Sequence, residues 1–432
     1  MGTGETLQKF KKYHLDKIIP LCFIFFILMS LELIAACFYS PADELDRILR
    51  VLRQDEIIFW ELKPSLDTVF QGVKVKTDAG GFRVLDNRRF DRPQDCFTIV
   101  CLGGSPTFGW GLDYKYTYTC LLESMLNDDF KGKRYRVING GIIGYSSYQG
   151  RLLFENRILD EFSPDIITVS YLVNDVDKHR FYRNNEKPDK DLKPKSTLLV
   201  FLENFLEESS LFLFLRQKIL RLKGLDRRFY SEVSQFYPEN RRVSPQDYRN
   251  QLDLIVDLAR ARGIEVVFIK MLVRFPFEAE PLAEDVLKRS NENLAIAVKL
   301  IKAGKCNQAV LKLKEAVADN PYSAKAYYYL GFCSAMNSDE ESAKIYFDKA
   351  KKMELLECAI IANVYNQEME ELALERNIEL VDIKEKFLAY PDLKTLFVNS
   401  DYDLVHPNEK GHRIIANNIY GVLAGKNIVG KN

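Results

Sequence analysis

The chain has 432 residues, of which 47% are apolar, and its 61 Lys and Arg residues balance 61 Asp and Glu residues. This length predicts two or three domains with a sizeable hydrophobic core. A formal net charge of zero lacks the basic surplus typical of nucleic-acid-binding proteins, so no nucleic-acid partner is expected. The eight cysteines and four histidines include no pair or cluster with metal-ligand spacing, so no metal site is expected either.

The N-terminal region predicts a membrane anchor with a cytoplasmic N-terminus. Residues 1–17 are polar and basic, and the mostly apolar segment 18–39 is long enough to cross a hydrocarbon core about 30 Å thick. Because positively charged flanks stay in the cytoplasm, the rest of the chain is expected in the periplasm or outside the cell. Glu32 lies near the outer end of the segment, where a charge costs less than at the centre. A cleaved signal peptide, a buried core helix and a lipoprotein with its lipid on Cys37 are the alternatives.

An alternation of strand-like and helix-like runs begins after a membrane-proximal segment at 40–95. The runs typical of buried strands are 97–101, 136–139, 165–171, 265–272 and 378–383. The helix-like runs lie near 116–128, 148–162, 246–262, 361–376 and 409–424. Such alternation predicts an α/β domain in which a five-stranded parallel sheet lies between two layers of helices.

The stretch 190–243 interrupts this alternation with a helical excursion that is strongly apolar around 198–222. A lid, a second membrane-facing surface and an additional packed helix pair all fit this composition. The helix after the excursion has a clear start signal, because Ser244 can cap it and Pro245 suits its first position.

A second interruption, at 286–357, is predicted to be an α-helical insertion. Small and large apolar residues recur there with a period of about 34 residues. The recurring positions are Ala309, Leu313 and Ala316, followed by Ala343, Phe347 and Ala350. This spacing resembles the tetratricopeptide pattern, in which alanines let paired helices approach closely. A docking groove for a protein partner is one interpretation, and a packed helical insertion without a ligand is the other.

Ser105 is the candidate nucleophile. It follows the strand-like run 97–101, and the preceding Gly103 and Gly104 let the backbone turn sharply as the strand ends. Open α/β sheets place their ligands at this end of a strand. A serine there can present its hydroxyl to a cleft and its backbone N–H to a developing oxyanion. The alternative is a tight turn with a solvated serine.

The C-terminal Asp403-x-x-His406 pair is the candidate acid and base. Residues three apart on a turn or helix start lie on the same side, so the carboxylate can bond one imidazole nitrogen and leave the other facing a serine. Gly144 and Asn174 follow the second and third strand-like runs, where a backbone N–H and a side-chain amide can donate to an oxyanion. Taken singly, each of these residues fits a surface cap or a simple turn equally well.

Serine, glycine, asparagine and Asp-x-x-His thus follow successive sheet ends in chain order. In this the sequence resembles the SGNH (GDSL-type) hydrolase superfamily, over about 97–185, 244–275 and 360–425. The element Gly81-Phe82-Arg83 resembles membrane-anchored bacterial members. The resemblance implies a flavodoxin-like three-layer fold with the tetratricopeptide units inserted before the last strand.

The resemblance also implies roles for these residues. Ser105 is the nucleophile, His406 the base and Asp403 its orienting acid, while Ser105, Gly144 and Asn174 form the oxyanion hole. The implied activity is an esterase or an O-acyl or O-acetyl transferase that needs no metal or organic cofactor. Its substrates are expected to be acyl-ester small molecules or acylated carbohydrates of the envelope. The alternative is a docking scaffold with a weak or inactive hydrolase domain.

Two positions depart from the family pattern. Gly104 replaces the aspartate of the Gly-Asp-Ser block, and Leu172 stands where glycine is usual in the third block, which is expected to narrow the pocket. Neither change removes a catalytic side chain.

The predicted division of the chain combines the anchor, the resemblance and the insertion. It comprises a cytoplasmic terminus (1–17), the anchor (18–39), a membrane-proximal segment (40–95), the first part of the hydrolase domain (96–285), the insertion (286–357) and the last part of the hydrolase domain (358–432). Among the remaining candidates, His412 is expected to pack or cap a helix, Asp175 to order its loop, His179 to be solvated and Asp401 to play no catalytic role.

Overall fold

The computed structural model describes residues 3–39, 47–48, 50–85, 96–177, 187–222, 241–277, 279–280, 282–426 and 429. The chain divides into two compact units. One comprises Met1–Glu56 with Lys195–Glu232, and the other comprises Ile57–Pro194 with Val233–Asn432. Every predicted site residue belongs to the second unit, which is called the main unit below.

The strands, in chain order, are β1 (Leu52–Gln54), β2 (Trp60–Leu62), β3 (Asp67–Phe70), β4 (Val73–Thr77), β5 (Arg83–Val84), β6 (Cys96–Gly103), β7 (Arg134–Gly141), β8 (Ile166–Ser170), β9 (Glu265–Lys270) and β10 (Glu379–Asp382).

The helices, in chain order, are α1 (Thr3–Phe38), α2 (Ser105–Phe108), α3 (Tyr118–Asp129), α4 (Ser147–Leu153), α5 (Leu159–Phe162), α6 (Val173–Val176), α7 (Thr197–Glu207), α8 (Ser210–Leu222), α9 (Pro245–Arg260), α10 (Glu284–Lys302), α11 (Cys306–Asp319), α12 (Ala324–Met336), α13 (Glu340–Glu375), α14 (Ile383–Leu388) and α15 (Glu409–Gly425).

The sheet of the main unit has the strand order β10-β9-β8-β6-β7-β5-β4-β3. The five strands β10, β9, β8, β6 and β7 pair in parallel, as the alternation predicts. The prediction of a purely parallel, five-stranded sheet is nevertheless corrected, because β5, β4 and β3 extend it by antiparallel pairing. These added strands come from the segment predicted to be membrane-proximal, whose residues from Ile57 onward belong to the main unit.

The central strands are buried on both faces. All residues of β8 and the last six residues of β6 are buried, which explains why these strands appear in the sequence as continuous apolar runs. The chain leaves β6 toward β7 on one side and returns to β8 on the other. A crevice forms where the order reverses, at the carboxyl ends of the strands, and Ser105 directly follows β6 at this point.

The region predicted as a helical insertion contains two packed helix pairs. Helix α10 packs on α11, α12 packs on α13, and α11 joins the pairs by packing on α12. The close approach depends on small residues, because a Cβ atom added at Gly331 would lie 2.8 Å from the Phe347 ring. Helix α13 then continues without a break through the boundary predicted at 357/358, and it packs on α9 and α6 of the main unit.

The N-terminal helix α1 contains the segment predicted to be a membrane anchor. Within the described part of the chain, the structure has no helix that is both long and apolar enough to span a bilayer. In the same compact unit, Glu32 of α1 accepts hydrogen bonds from the Ser209 hydroxyl at 2.7 Å and from the first backbone N–H groups of α8.

Candidate active site

The turn that carries Ser105 has no room for larger residues. A Cβ atom added at Gly103 would lie 2.1 Å from the Thr107 hydroxyl oxygen, and one at Gly104 would lie 2.8 Å from the amide nitrogen of Asn174. A side chain at either position would have to displace its neighbour. The glycine found at 104 in place of aspartate therefore fits the close approach of Asn174 to the turn.

The structure brings the three residues of the predicted triad together. The Ser105 hydroxyl oxygen lies 2.9 Å from His406 Nε2, and His406 Nδ1 lies 3.0 Å from Asp403 Oδ2. The other carboxylate oxygen of Asp403 accepts hydrogen bonds from the backbone N–H groups of Val405 at 3.0 Å and His406 at 2.9 Å. The local turn thus fixes the carboxylate against the imidazole, which is why a spacing of three residues suffices.

Asp403 is held in its ionised form. Burial by itself would raise the pKa of Asp403, but the hydrogen bond and charge of His406 and two backbone N–H groups outweigh it, so the pKa lies below its usual value. An ionised carboxylate can only accept hydrogen bonds, so the imidazole donates through Nδ1. Its Nε2 atom is then free to accept the proton of the Ser105 hydroxyl.

Trp110 forms one wall of the site. No sequence motif indicates this residue. Its indole ring stacks on the His406 imidazole with ring centroids 5.1 Å apart and an interplanar angle of 17°. Phe70 of β3 contacts the indole edge-on at 5.0 Å. The imidazole plane is therefore set by Asp403 at its edge and by Trp110 at its face. The position of Trp110 in the loop that follows Ser105 was the only signal that the sequence offered.

The loops that carry the predicted oxyanion donors meet beside Gly104, close to the Asn174 amide and the Tyr145 carbonyl. Among the described residues, the backbone N–H groups of Ser105 and Gly144 bond no other group of the chain. Gly144 has a φ of 78°, a conformation that favours glycine. The Asn174 amide donates one hydrogen bond, of 2.9 Å, to the Tyr145 carbonyl and keeps its second N–H beside Gly104.

A small, mainly apolar pocket opens next to these donors. Its lining residues are Gly104, Pro106, Tyr145, Ser170, Leu172, Val173, Asn174, Met271, Leu272, Val273 and Val405. Leu172, which stands where the family pattern has glycine, forms part of the wall. Its φ of −168° is extended backbone that any residue adopts, so the leucine changes the pocket and not the local strain.

Two buried arginines hold the loops that carry the site. Arg83 of β5 donates to the carbonyls of Phe108 and Gly109 at 2.7 and 2.8 Å, at the C-terminal end of α2, and burial lowers its pKa to about 10. Arg274 donates to the Asp403 carbonyl at 2.9 Å. The sequence indicates no role for Arg83 and gives no signal for Arg274, because the contacts of both arginines join residues distant in the chain.

The other titratable candidates lie away from the reacting groups. His412 is buried, its Nδ1 atom accepts from the Tyr118 backbone N–H at 2.9 Å, and burial lowers its pKa to about 3. Asp175 accepts from the backbone N–H of Ser147 at 2.8 Å, and burial raises its pKa to about 7. Asp401 is exposed in the turn before Asp403. His179 lies outside the described residues.

Comparison with known proteins returns no matching family model and no matching curated protein. Among solved structures, the α/β hydrolase LAE5 from the metagenome of Lake Arreo is 16% identical, with a TM-score of 0.37 over 78% of this chain and 97% of that chain. A GDSL-like lipase from Bacteroides thetaiotaomicron is 13% identical, with a TM-score of 0.35 over 76% and 88%. The acetyl xylan esterase AlAXEase is 15% identical, with a TM-score of 0.36 over 76% and 100%. Likenesses at these TM-scores support no conclusion about activity.

Proposed function

We propose that the protein is a serine ester hydrolase. The observation that carries the proposal is the continuous hydrogen-bond relay from the Ser105 hydroxyl through His406 to the partly buried Asp403 carboxylate. This is the arrangement that activates a serine as a nucleophile at neutral pH, because the imidazole accepts the proton and the carboxylate stabilises the imidazolium.

The reaction has two halves. Ser105 Oγ attacks the acyl carbonyl carbon while its proton passes to His406 Nε2. The imidazolium then protonates the leaving oxygen, so the alcohol departs and an acyl-serine remains. Water attacks this acyl-serine by the same route, which releases the acid and restores Ser105. If an acceptor hydroxyl replaces water, the same chemistry transfers the acyl group.

The negative charge that develops on the carbonyl oxygen is met by the backbone N–H groups of Ser105 and Gly144 and by the Asn174 amide. Removing one donor from such a site costs about 3–4 kcal/mol of transition-state stabilisation. The apolar pocket beside Asn174 is suited to the acyl group. The alcohol part of the ester is proposed to be a carbohydrate of the cell envelope. This part of the proposal is supported by the family resemblance alone.

The proposal also covers the role of the helical insertion and the location of the protein in the cell. The paired helices α10 to α13 are proposed to be tetratricopeptide-like units that dock a protein partner, supported by the small residues at their contacts. The location at the cell membrane outside the cytoplasm is supported by the basic and apolar N-terminal sequence. Fractionation of cells, followed by protease treatment of intact cells, tests this location.

The activity is tested with the full chain, a fluorophosphonate probe and p-nitrophenyl acetate. Labelling and turnover are expected in the wild type and in Ser124→Ala, a control at an exposed serine on α3. Both are expected to vanish in Ser105→Ala. If the folded wild type neither reacts with the probe nor hydrolyses the ester, the esterase proposal is wrong and the docking scaffold becomes the better interpretation.

A further inference from the structure

The helical excursion 190–243 is joined at its two ends by a buried ion pair. Arg242 Nη2 lies 2.9 Å from Asp189 Oδ2, and both side chains are 1% exposed. The backbone N–H of Asp189 also donates to the Arg242 carbonyl at 2.7 Å. Removing two charges from water is costly unless their remaining donors and acceptors are satisfied, so the partners of this pair indicate what it holds in place.

Those partners belong to the loop that contains Gly144, one of the three predicted oxyanion donors, and to the start of α4. Arg242 Nη1 donates to the Gly144 carbonyl at 2.6 Å, and Nη2 donates to the Gln149 side chain at 2.6 Å. The Asp189 carboxylate accepts from the Ser146 hydroxyl at 2.7 Å. The ion pair therefore holds the loop by hydrogen bonds at Gly144 and at Ser146, the residue that caps α4.

The bond to the Gly144 carbonyl bears directly on the oxyanion hole. Gly144 has no Cβ and a φ of 78°, so its own side chain does nothing to fix the direction of its peptide groups. The next carbonyl, that of Tyr145, is the acceptor that holds the Asn174 amide. The Gly144 carbonyl lies one peptide group after the Gly144 N–H and one before the Tyr145 carbonyl. Holding it therefore restricts the loop on both sides, at the Gly144 N–H and at the acceptor of Asn174.

We propose that Arg242 and Asp189 are positioning residues of the oxyanion hole, joining the ends of the excursion to the loop that binds the oxyanion. The proposal rests on the esterase function given above. It assigns to the pair a contribution to the transition state in addition to its contribution to folding. Removing one partner of a buried pair is destabilising, so the stability of each variant is measured beside its activity.

The variant Arg242→Lys separates the two roles. Lysine keeps a positive charge opposite Asp189, but an ammonium group lacks the planar fork that reaches Asp189, Gln149 and the Gly144 carbonyl together. Arg249→Lys is the matched control, because Arg249 forms only partly exposed ion pairs between α9 and α13. Asp189→Asn is the second variant, and it keeps the shape of the side chain while removing its charge.

Each purified protein is assayed for p-nitrophenyl acetate hydrolysis, urea unfolding and inhibition by a trifluoromethyl ketone. Ser105 Oγ adds to the ketone carbonyl carbon, its proton passes to His406, and the resulting oxyanion mimics the tetrahedral intermediate. Losing one oxyanion donor outright costs ~100- to 1,000-fold in kcat. In Arg242→Lys the donors are only displaced, so kcat is expected to fall about 10- to 100-fold with KM nearly unchanged. The affinity for the inhibitor is expected to fall by a similar factor. Asp189→Asn is expected to follow in the same direction.

The inference is overturned if either variant folds and keeps kcat and inhibitor affinity within twofold of wild type, or loses activity only in proportion to its unfolded fraction. A loss in the Arg249→Lys control equal to that in Arg242→Lys would overturn it as well. If the wild type itself lacks esterase activity, the proposed function fails first. The two failures are therefore distinguishable.

Discussion

Replacing Asp403 by asparagine changes one atom of the relay. In the wild type, Oδ1 of Asp403 accepts from the backbone N–H groups of Val405 and His406, and Oδ2 accepts from His406 Nδ1. In Asp403→Asn, the amide oxygen keeps the two backbone bonds, so the NH₂ group faces Nδ1. That group donates, so the imidazole must carry its proton on Nε2, where the Ser105 hydroxyl needs an acceptor.

The expected loss in kcat is about 10,000-fold, the size seen when the wrong tautomer is imposed on a catalytic histidine. It corresponds to about 5.4 kcal/mol of transition-state stabilisation at ~1.36 kcal/mol per decade. The assay is steady-state hydrolysis of p-nitrophenyl acetate at pH 8, with circular dichroism to establish that the variant folds. Fluorophosphonate labelling, which also needs the imidazole as a base, is expected to slow in parallel.

Asp401→Asn is the matched control, because Asp401 is an exposed aspartate of the same turn, two residues away. It is expected to retain wild-type kcat. A folded Asp403→Asn protein that keeps more than about a tenth of wild-type kcat would refute the role given to Asp403, because tautomer control of His406 requires a far larger loss.

Further predictions concern the oxyanion hole, the stacked ring, a buried arginine and a buried acid. Asn174→Ala is expected to lower kcat about 100- to 1,000-fold without raising KM, and unchanged kcat would contradict its role as a donor. Trp110→Ala is expected to lower kcat about tenfold through a misplaced imidazole, whereas Trp110→Phe retains most activity; equal losses would argue against stacking. Arg83→Met leaves buried carbonyls unpaired and is expected to lower the free energy of unfolding in urea by about 3 kcal/mol or more, unlike a surface arginine. The pKa of Asp175 is raised to about 7 in the folded state. Its stabilising contribution is therefore complete below pH ~4 and is lost as the pH rises through about 7. Asp175→Asn is expected to be more stable than wild type at pH 8 and not at pH 4. Equal differences at the two pH values would show that Asp175 does not titrate in this range.

The parallel core of the sheet was predictable because its strands are buried on both faces. The run 97–101 lies within β6, and the residues that follow β6, β7 and β8 meet because the carboxyl ends of parallel strands share one edge. This common edge is why Ser105 and Asn174, far apart in the chain, could be expected at one site.

The added strands were not predictable in the same way. Strand β5 has two residues, and β4 alternates valine with lysine, so neither has the continuous apolar run of a buried strand. They pair antiparallel at the edge of the sheet, where an alternating pattern suffices. The length of α13 follows from the absence of a breaker, because Leu355 occupies the position where a proline often ends the tetratricopeptide pattern.

The supporting contacts of the site had no local signature. Arg242 lies 98 residues from Gly144, and Arg83 lies 25 residues from Phe108. An arginine that bonds backbone carbonyls needs no particular partner residue, so no motif indicates it. Trp110 likewise contacts His406 only through the tertiary fold, which places the loop after α2 against the Asp-x-x-His turn.

The central claim is that Ser105 is the activated nucleophile. The most direct measurement is mass spectrometry of the full chain after reaction with a fluorophosphonate, with the modified peptide sequenced. The account predicts one adduct per chain, on Ser105, that forms in the wild type and in Asp401→Asn and is strongly slowed in Asp403→Asn. An adduct on another serine, or none on the folded wild type, would contradict it.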